Sequence, residues 1–94
     1  MREYELMFIV KPLEEEQTEA VVTKFESLIT ANGGTINKLD RWGKKRLAYE
    51  INDFTDGYYC LVLFSAEPTV ISELDRVLKI TDDILRHMIV KQEG

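Results

Sequence analysis

Ninety-four residues, 45% of them hydrophobic, suffice for one domain around one core and leave no room for a second catalytic lobe. Twelve basic and 17 acidic side chains give a formal charge of −5, whose overall field repels a polyphosphate and argues against a nucleic-acid binder that works alone.

The chain opens with strand formers from Tyr4 to Val10, stopped by Pro12, which has no N–H to donate to a ladder. From Glu14 to Ala31, Val21, Val22, Phe25, Leu28 and Ile29 recur at helical spacing, acids crowd the first turn, and Asn32-Gly33-Gly34 supplies a stop. Thr35 to Ile51 reads as a long extended segment interrupted near Gly43. The turn-prone run Asn52 to Gly57 separates it from a strand over Tyr58 to Phe64, so the two form a hairpin. Pro68-Thr69 starts a second helix with Ile71, Leu74 and Leu78 on one face, and after Thr81-Asp82-Asp83 the stretch Leu85 to Val90 returns to strand character.

This β-α-β-β-α-β order predicts a single α+β domain over residues 1–94. It is the ferredoxin-like arrangement, a four-stranded antiparallel sheet with two helices on one face. Alternation along the strands places Tyr4, Leu6, Phe8 and Val10 toward the helices, together with Cys60, Val62, Phe64, Met88 and Val90. The opposite row then holds Met7, Ile9, Tyr59, Leu61, Leu63 and Ile89, too apolar for a sheet face open to water. Either a protein partner covers it, or it is the modestly apolar surface that small domains commonly show.

The segment Arg41-Trp42-Gly43-Lys44-Lys45-Arg46-Leu47-Ala48-Tyr49-Glu50-Ile51 gathers cations and aromatic rings in an acidic chain. Lys38, Arg41, Lys44, Lys45 and Arg46 face only Asp40 locally, and at a screening length of roughly 8 Å the local patch decides what a phosphate feels. The functional reading is an RNA-facing strand, and the structural one is an edge strand charged to prevent aggregation. Trp42 and Tyr49 stack on bases in the first reading and pack on the hairpin in the second.

Four stretches carry a family resemblance: Met1 to Glu5, Trp42 to Ile51, Asp56-Gly57-Tyr58-Tyr59 and Ile84-Leu85-Arg86-His87-Met88. In order and spacing they resemble the bacterial ribosomal protein S-six family of the small subunit, over essentially the whole chain. The resemblance implies a cytoplasmic ribosomal protein on 16S ribosomal RNA in the central domain, or platform, paired as a heterodimer with ribosomal protein S-eighteen. Carried onto this chain, it makes Arg2, Lys44, Lys45, Arg46, Arg86 and His87, with Lys79 as a weaker member, the RNA-contacting set. Met7, Ile9, Tyr59, Leu61, Leu63 and Ile89 become the partner-binding set. Arg2 and Arg86 are expected at opposite ends of the sheet, since the first and last strands run antiparallel.

Catalytic readings find little support. The cluster Glu14-Glu15-Glu16 sits where a helix dipole favours acids, one His and one Cys do not make a usual zinc site, and no phosphate-cradling glycine loop occurs. No cofactor is expected. The lone Cys60 precludes an internal disulfide, no apolar run approaches the roughly 20 residues of a membrane helix, and the first residues lack a signal-peptide pattern. A soluble protein of a reducing cytosol is therefore expected. An acylphosphatase-like enzyme needs an anion-binding first loop where this chain has Lys11-Pro12-Leu13-Glu14. An RNA-recognition motif needs a stacking aromatic where it has Cys60, and a small-molecule regulatory domain leaves the basic strand unexplained.

Overall fold

A computed structural model describes residues 1–92. Its elements follow the predicted order: β1 (Arg2–Val10), α1 (Glu15–Ala31), β2 (Thr35–Ile51), β3 (Phe54–Ala66), α2 (Pro68–Ile80) and β4 (Ile84–Lys91). The strands form one antiparallel sheet in the order β2-β3-β1-β4, leaving β2 and β4 as its edges.

The core lies between the sheet and the two helices. Tyr4, Leu6, Phe8 and Val10 of β1 are buried there beside Cys60, Val62 and Phe64 of β3, under Val22, Phe25 and Ile29 of α1 and Leu74 and Leu78 of α2. Phe8 meets Phe25 with ring centroids 5.6 Å apart, and Tyr4 stacks on Phe64 at the same separation. α1 has no side-chain N-cap; Glu15 and Glu16 sit in its first turn, and the Thr18 hydroxyl donates to the Glu14 carbonyl at 3.2 Å. It ends where Gly33 takes φ +86° and the Asn32 amide donates to the Leu28 carbonyl at 2.7 Å.

The hairpin turn is tighter than the sequence suggests. β3 already begins at Phe54, and Asn52 and Asp53 alone make the loop with φ of 49° and 69°. Two consecutive positive φ angles define the type I′ turn whose twist matches that of paired strands, and Asn and Asp tolerate it well. Gly43 marks the predicted interruption of β2: it adopts φ +85°, and the register slips by one residue between Arg41 and Gly43.

β4 departs from the predicted row assignment. Leu6 pairs with Ile89 and Phe8 with His87, so Ile89 and His87 face the helices, while Met7 pairs with Met88 and Glu5 with Val90. Ile89 packs on the core, whereas Met88 and Val90 are 52% and 44% exposed on the outer face. Ile89 is therefore removed from the expected partner-binding row, and Met88 and Val90 from the expected core. Both rows of β4 are apolar enough to be buried, so only the pairing with β1 decides between them. Ile9 keeps its outward direction but is 7% exposed, because it and Leu47 converge over the bare backbone of Gly57.

This register has a measurable consequence. Ile89→Asp forces a carboxylate against the core and should cost about 2–4 kcal/mol in urea unfolding, whereas Met88→Asp should stay within about 0.5–1 kcal/mol of the parent. Equal losses for the two variants would contradict the pairing.

Candidate nucleic-acid interface

β1 pairs with β3 only as far as Val10 and Tyr58, and Tyr58 in turn faces Lys44. Residues 45–57 therefore project past the sheet as a two-stranded arm. The arm curls over the outer face, and the Arg86 guanidinium donates to the Tyr49 hydroxyl with its carbon 5.8 Å from that ring's centroid. β2 and β4 are opposite edges of the sheet, so this contact crosses its whole width. A cavity of about 240 Å³, lined by Met7, Ile9, Tyr59, Arg86 and Met88 among others, opens on the same face.

Lys44, Lys45 and Arg46 are all exposed, and none forms an ion pair among the described residues. Their directions alternate. Lys44 and Arg46 pair with Tyr58 and Asp56 on the helix side, and Lys45 points to the outer side beside Trp42, its ammonium 5.5 Å from the indole centroid. The Trp42 N–H donates to the Asp40 carboxylate at 3.2 Å. Because β2 is an edge strand, a polyanion lying along that edge can reach cations on both sides.

Arg41 is withdrawn from the basic patch. Its guanidinium donates two 2.9 Å hydrogen bonds to both carboxylate oxygens of Glu19 on α1, which raises its pKa further and neutralises its charge locally. The other proposed RNA contacts do not form one surface. Arg2 pairs with Ala66 and Arg86 with Ile9, seven residues along β1, a separation of about 24 Å at roughly 3.4 Å per residue. His87 and Lys79 meet on the helix side instead, each 2.8 Å from an oxygen of Asp75 on α2. On the outer face Met7, Tyr59, Leu61 and Leu63 are half-buried, joined by Met88 and Val90. The arm's contact with Arg86 spans 37 residues of sequence and has no local signature.

Groups suited to covalent chemistry are muted. Burial pushes the Cys60 thiol up to about 11, against the smaller lowering influence of Arg41, so it stays protonated and unreactive. Among the described residues no three His, Cys, Asp or Glu side chains are placed to hold a metal ion, and no helix is long and apolar enough to cross a membrane.

The family model "Ribosomal protein S6" matches residues 3–91. The chain belongs to the ribosomal protein S6 family. It is 54% identical to small ribosomal subunit protein bS6 of Desulforamulus reducens, covering 98% of both chains, and 52% identical to that of Moorella thermoacetica, covering 99% of this chain and 96% of the other. The crystal structure of 30S ribosomal protein S6 from Thermotoga maritima superposes with a TM-score of 0.92 at 32% identity, covering 97% of this chain and 87% of that one. The C-terminal domain of the MgtC protein from Mycobacterium tuberculosis, at 14% identity and a TM-score of 0.62, shares the fold alone. S6 membership makes this chain a structural component of the small ribosomal subunit in the cytoplasm and not an enzyme.

The Asp75 cluster gives a pH prediction. Hydrogen bonds from Lys79 first and His87 second hold the Asp75 carboxyl below its ordinary value of 3.8. A carboxyl depressed in the folded state stabilises above its unfolded pKa and loses that contribution as pH falls through the folded one. Asp75→Asn should therefore lower stability at neutral pH and flatten the acid limb below about pH 4. The carboxylate is substantially exposed, so the loss should stay under about 1 kcal/mol. Urea midpoints at pH 7 and pH 3 check it, and an unchanged difference between them would contradict the coupling.

Proposed function

We propose that this chain, as a single domain over residues 1–94, binds 16S ribosomal RNA in the central domain of the small subunit as one half of a heterodimer with ribosomal protein S-eighteen. The observation that carries the reading is the run Lys44-Lys45-Arg46, three exposed cations without an ion pair among the described residues, at the base of the projecting arm of a chain whose net charge is −5.

The charge balance sets the mechanism. An acidic protein gains little from long-range attraction to RNA, so a basic partner supplies much of the phosphate neutralisation and this chain adds a few placed cations. Arginine grips phosphate bidentately and lysine acts as a point charge, so these contacts position the protein and do not read base sequence. Arg2 serves as a separate contact at the far end of the sheet. Lys79 and His87 join only where a phosphate competes with Asp75. The partner covers the outer face over Met7, Tyr59, Leu61 and Leu63, extended by Met88 and Val90, which removes exposed apolar surface from water.

Binding to a central-domain RNA fragment, measured with and without the partner at two salt concentrations, tests this. The triple variant K44Q/K45Q/R46Q should keep its fold, bind more weakly and flatten the dependence of log K on log salt by about 2–3. Met88→Asp should impair heterodimer formation while leaving the isolated chain folded. An unchanged salt slope removes the three cations as phosphate contacts, and binding of the folded central-domain fragment as tight without the partner as with it removes the co-assembly mechanism.

A further inference from the structure

Trp42 and Tyr49 are large aromatic side chains left 44% and 59% exposed, and neither belongs to the core cluster. Each lies under a cation: the Lys45 ammonium is 5.5 Å from the indole centroid, and the Arg86 guanidinium carbon is 5.8 Å from the Tyr49 ring. The two pairs occupy the same end of the outer face. One row of partners, Gly43 to Tyr59 to Ile9 to Arg86, runs from beside Trp42 to the cation that holds Tyr49. Three strand spacings separate its ends, about 14 Å at roughly 4.8 Å each.

A single exposed aromatic needs no explanation. Two cation–aromatic pairs at one end of a sheet, beside two further cations without ion pairs among the described residues, Lys44 and Arg46, combine the stacking platforms and electrostatic track that single-stranded nucleic acid uses. We propose that Trp42 with Lys45 and Tyr49 with Arg86 are stacking sites for unpaired RNA bases. The proposal rests on the RNA-binding reading above and deepens it. A cation over a solvent-exposed ring is held weakly, whereas base–aromatic stacking is stronger and tolerant of base identity. An incoming base displaces the cation from the ring face, and the freed cation moves to the flanking phosphate. Arg86 thereby holds Tyr49 in place before binding and contributes charge after it.

Trp42 is the only tryptophan, so its emission reports on one site. The purified chain is titrated with hexaadenylate and, separately, with an inorganic polyphosphate of matched charge. Hexaadenylate should quench Trp42 and polyphosphate should not. Trp42→Leu should weaken hexaadenylate binding about tenfold at an unchanged salt slope, Trp42→Phe should restore most of it, and Lys45→Gln should reduce the slope by about 0.7. Circular dichroism confirms that each variant is folded. Quenching by polyphosphate equal to that by hexaadenylate, or undiminished binding by Trp42→Leu, overturns the proposal. If the chain and its partner bind central-domain RNA while millimolar hexaadenylate leaves Trp42 emission unchanged, stacking fails and the assembly role stands. If the folded RNA is not bound either, both fall.

Discussion

The inner row of β1 is the constraint on which the rest of the structure depends. β1 has a neighbour on each side, and its Tyr4, Leu6, Phe8 and Val10 are each 6% exposed or less. Pairing with that row commits Cys60, Val62 and Phe64 of β3 and His87 and Ile89 of β4 to the helix side. Since side chains alternate, the same commitment sends Met7, Leu61, Leu63, Met88 and Val90 outward. The apolar outer face is thus a consequence of how the core is built. A partner that covers it uses residues whose directions the interior has already chosen.

Electrostatics sorts the cations in a second layer. Arg41 is held by Glu19 of α1, Arg76 by Glu73, and Lys79 by Asp75 of α2, so the helix layer absorbs charge from its surroundings. Exposed ion pairs of this kind add little to stability, since solvent and salt screen them. Their larger effect is selective, since they decide which positive charges remain available. Lys44, Lys45 and Arg46 keep no such partner among the described residues, and a chain of net charge −5 retains three consecutive available cations where the arm leaves the sheet.

Much of this was legible in the residues. The helix over Glu14 to Ala31 follows from three- and four-residue spacing plus a Gly-Gly stop, and its observed range begins at Glu15 with Glu14 as cap. β2 spans the predicted Thr35–Ile51, and its interruption at Gly43 is real. Spacing failed where two solutions had similar composition. The row Ile84, Arg86, Met88, Val90 and the row Leu85, His87, Ile89, Lys91 are both mixed, so alternation alone cannot name the buried one. At the hairpin, Phe54 and Thr55 resembled loop residues beside Asn, Asp and Gly, yet two left-handed residues sufficed for the turn.

The site divides in the same way. Lys44, Lys45 and Arg46 stand out in the sequence because consecutive cations in an acidic chain need no partner to be noticed. Whether they act together is a matter of geometry: the strand alternates them across its faces, with Lys44 in the last row of the sheet and Lys45 and Arg46 at the start of the arm. The sequence by itself determined the element order, the core row of β1 and the location of the basic segment, all properties of near neighbours along the chain. Only the tertiary structure decided that Arg41 is spent on Glu19, that Ile89 turns inward, and that Tyr49 reaches Arg86. Each of these joins residues brought together by strand pairing or helix packing, and local periodicity carries no information about contacts at that range.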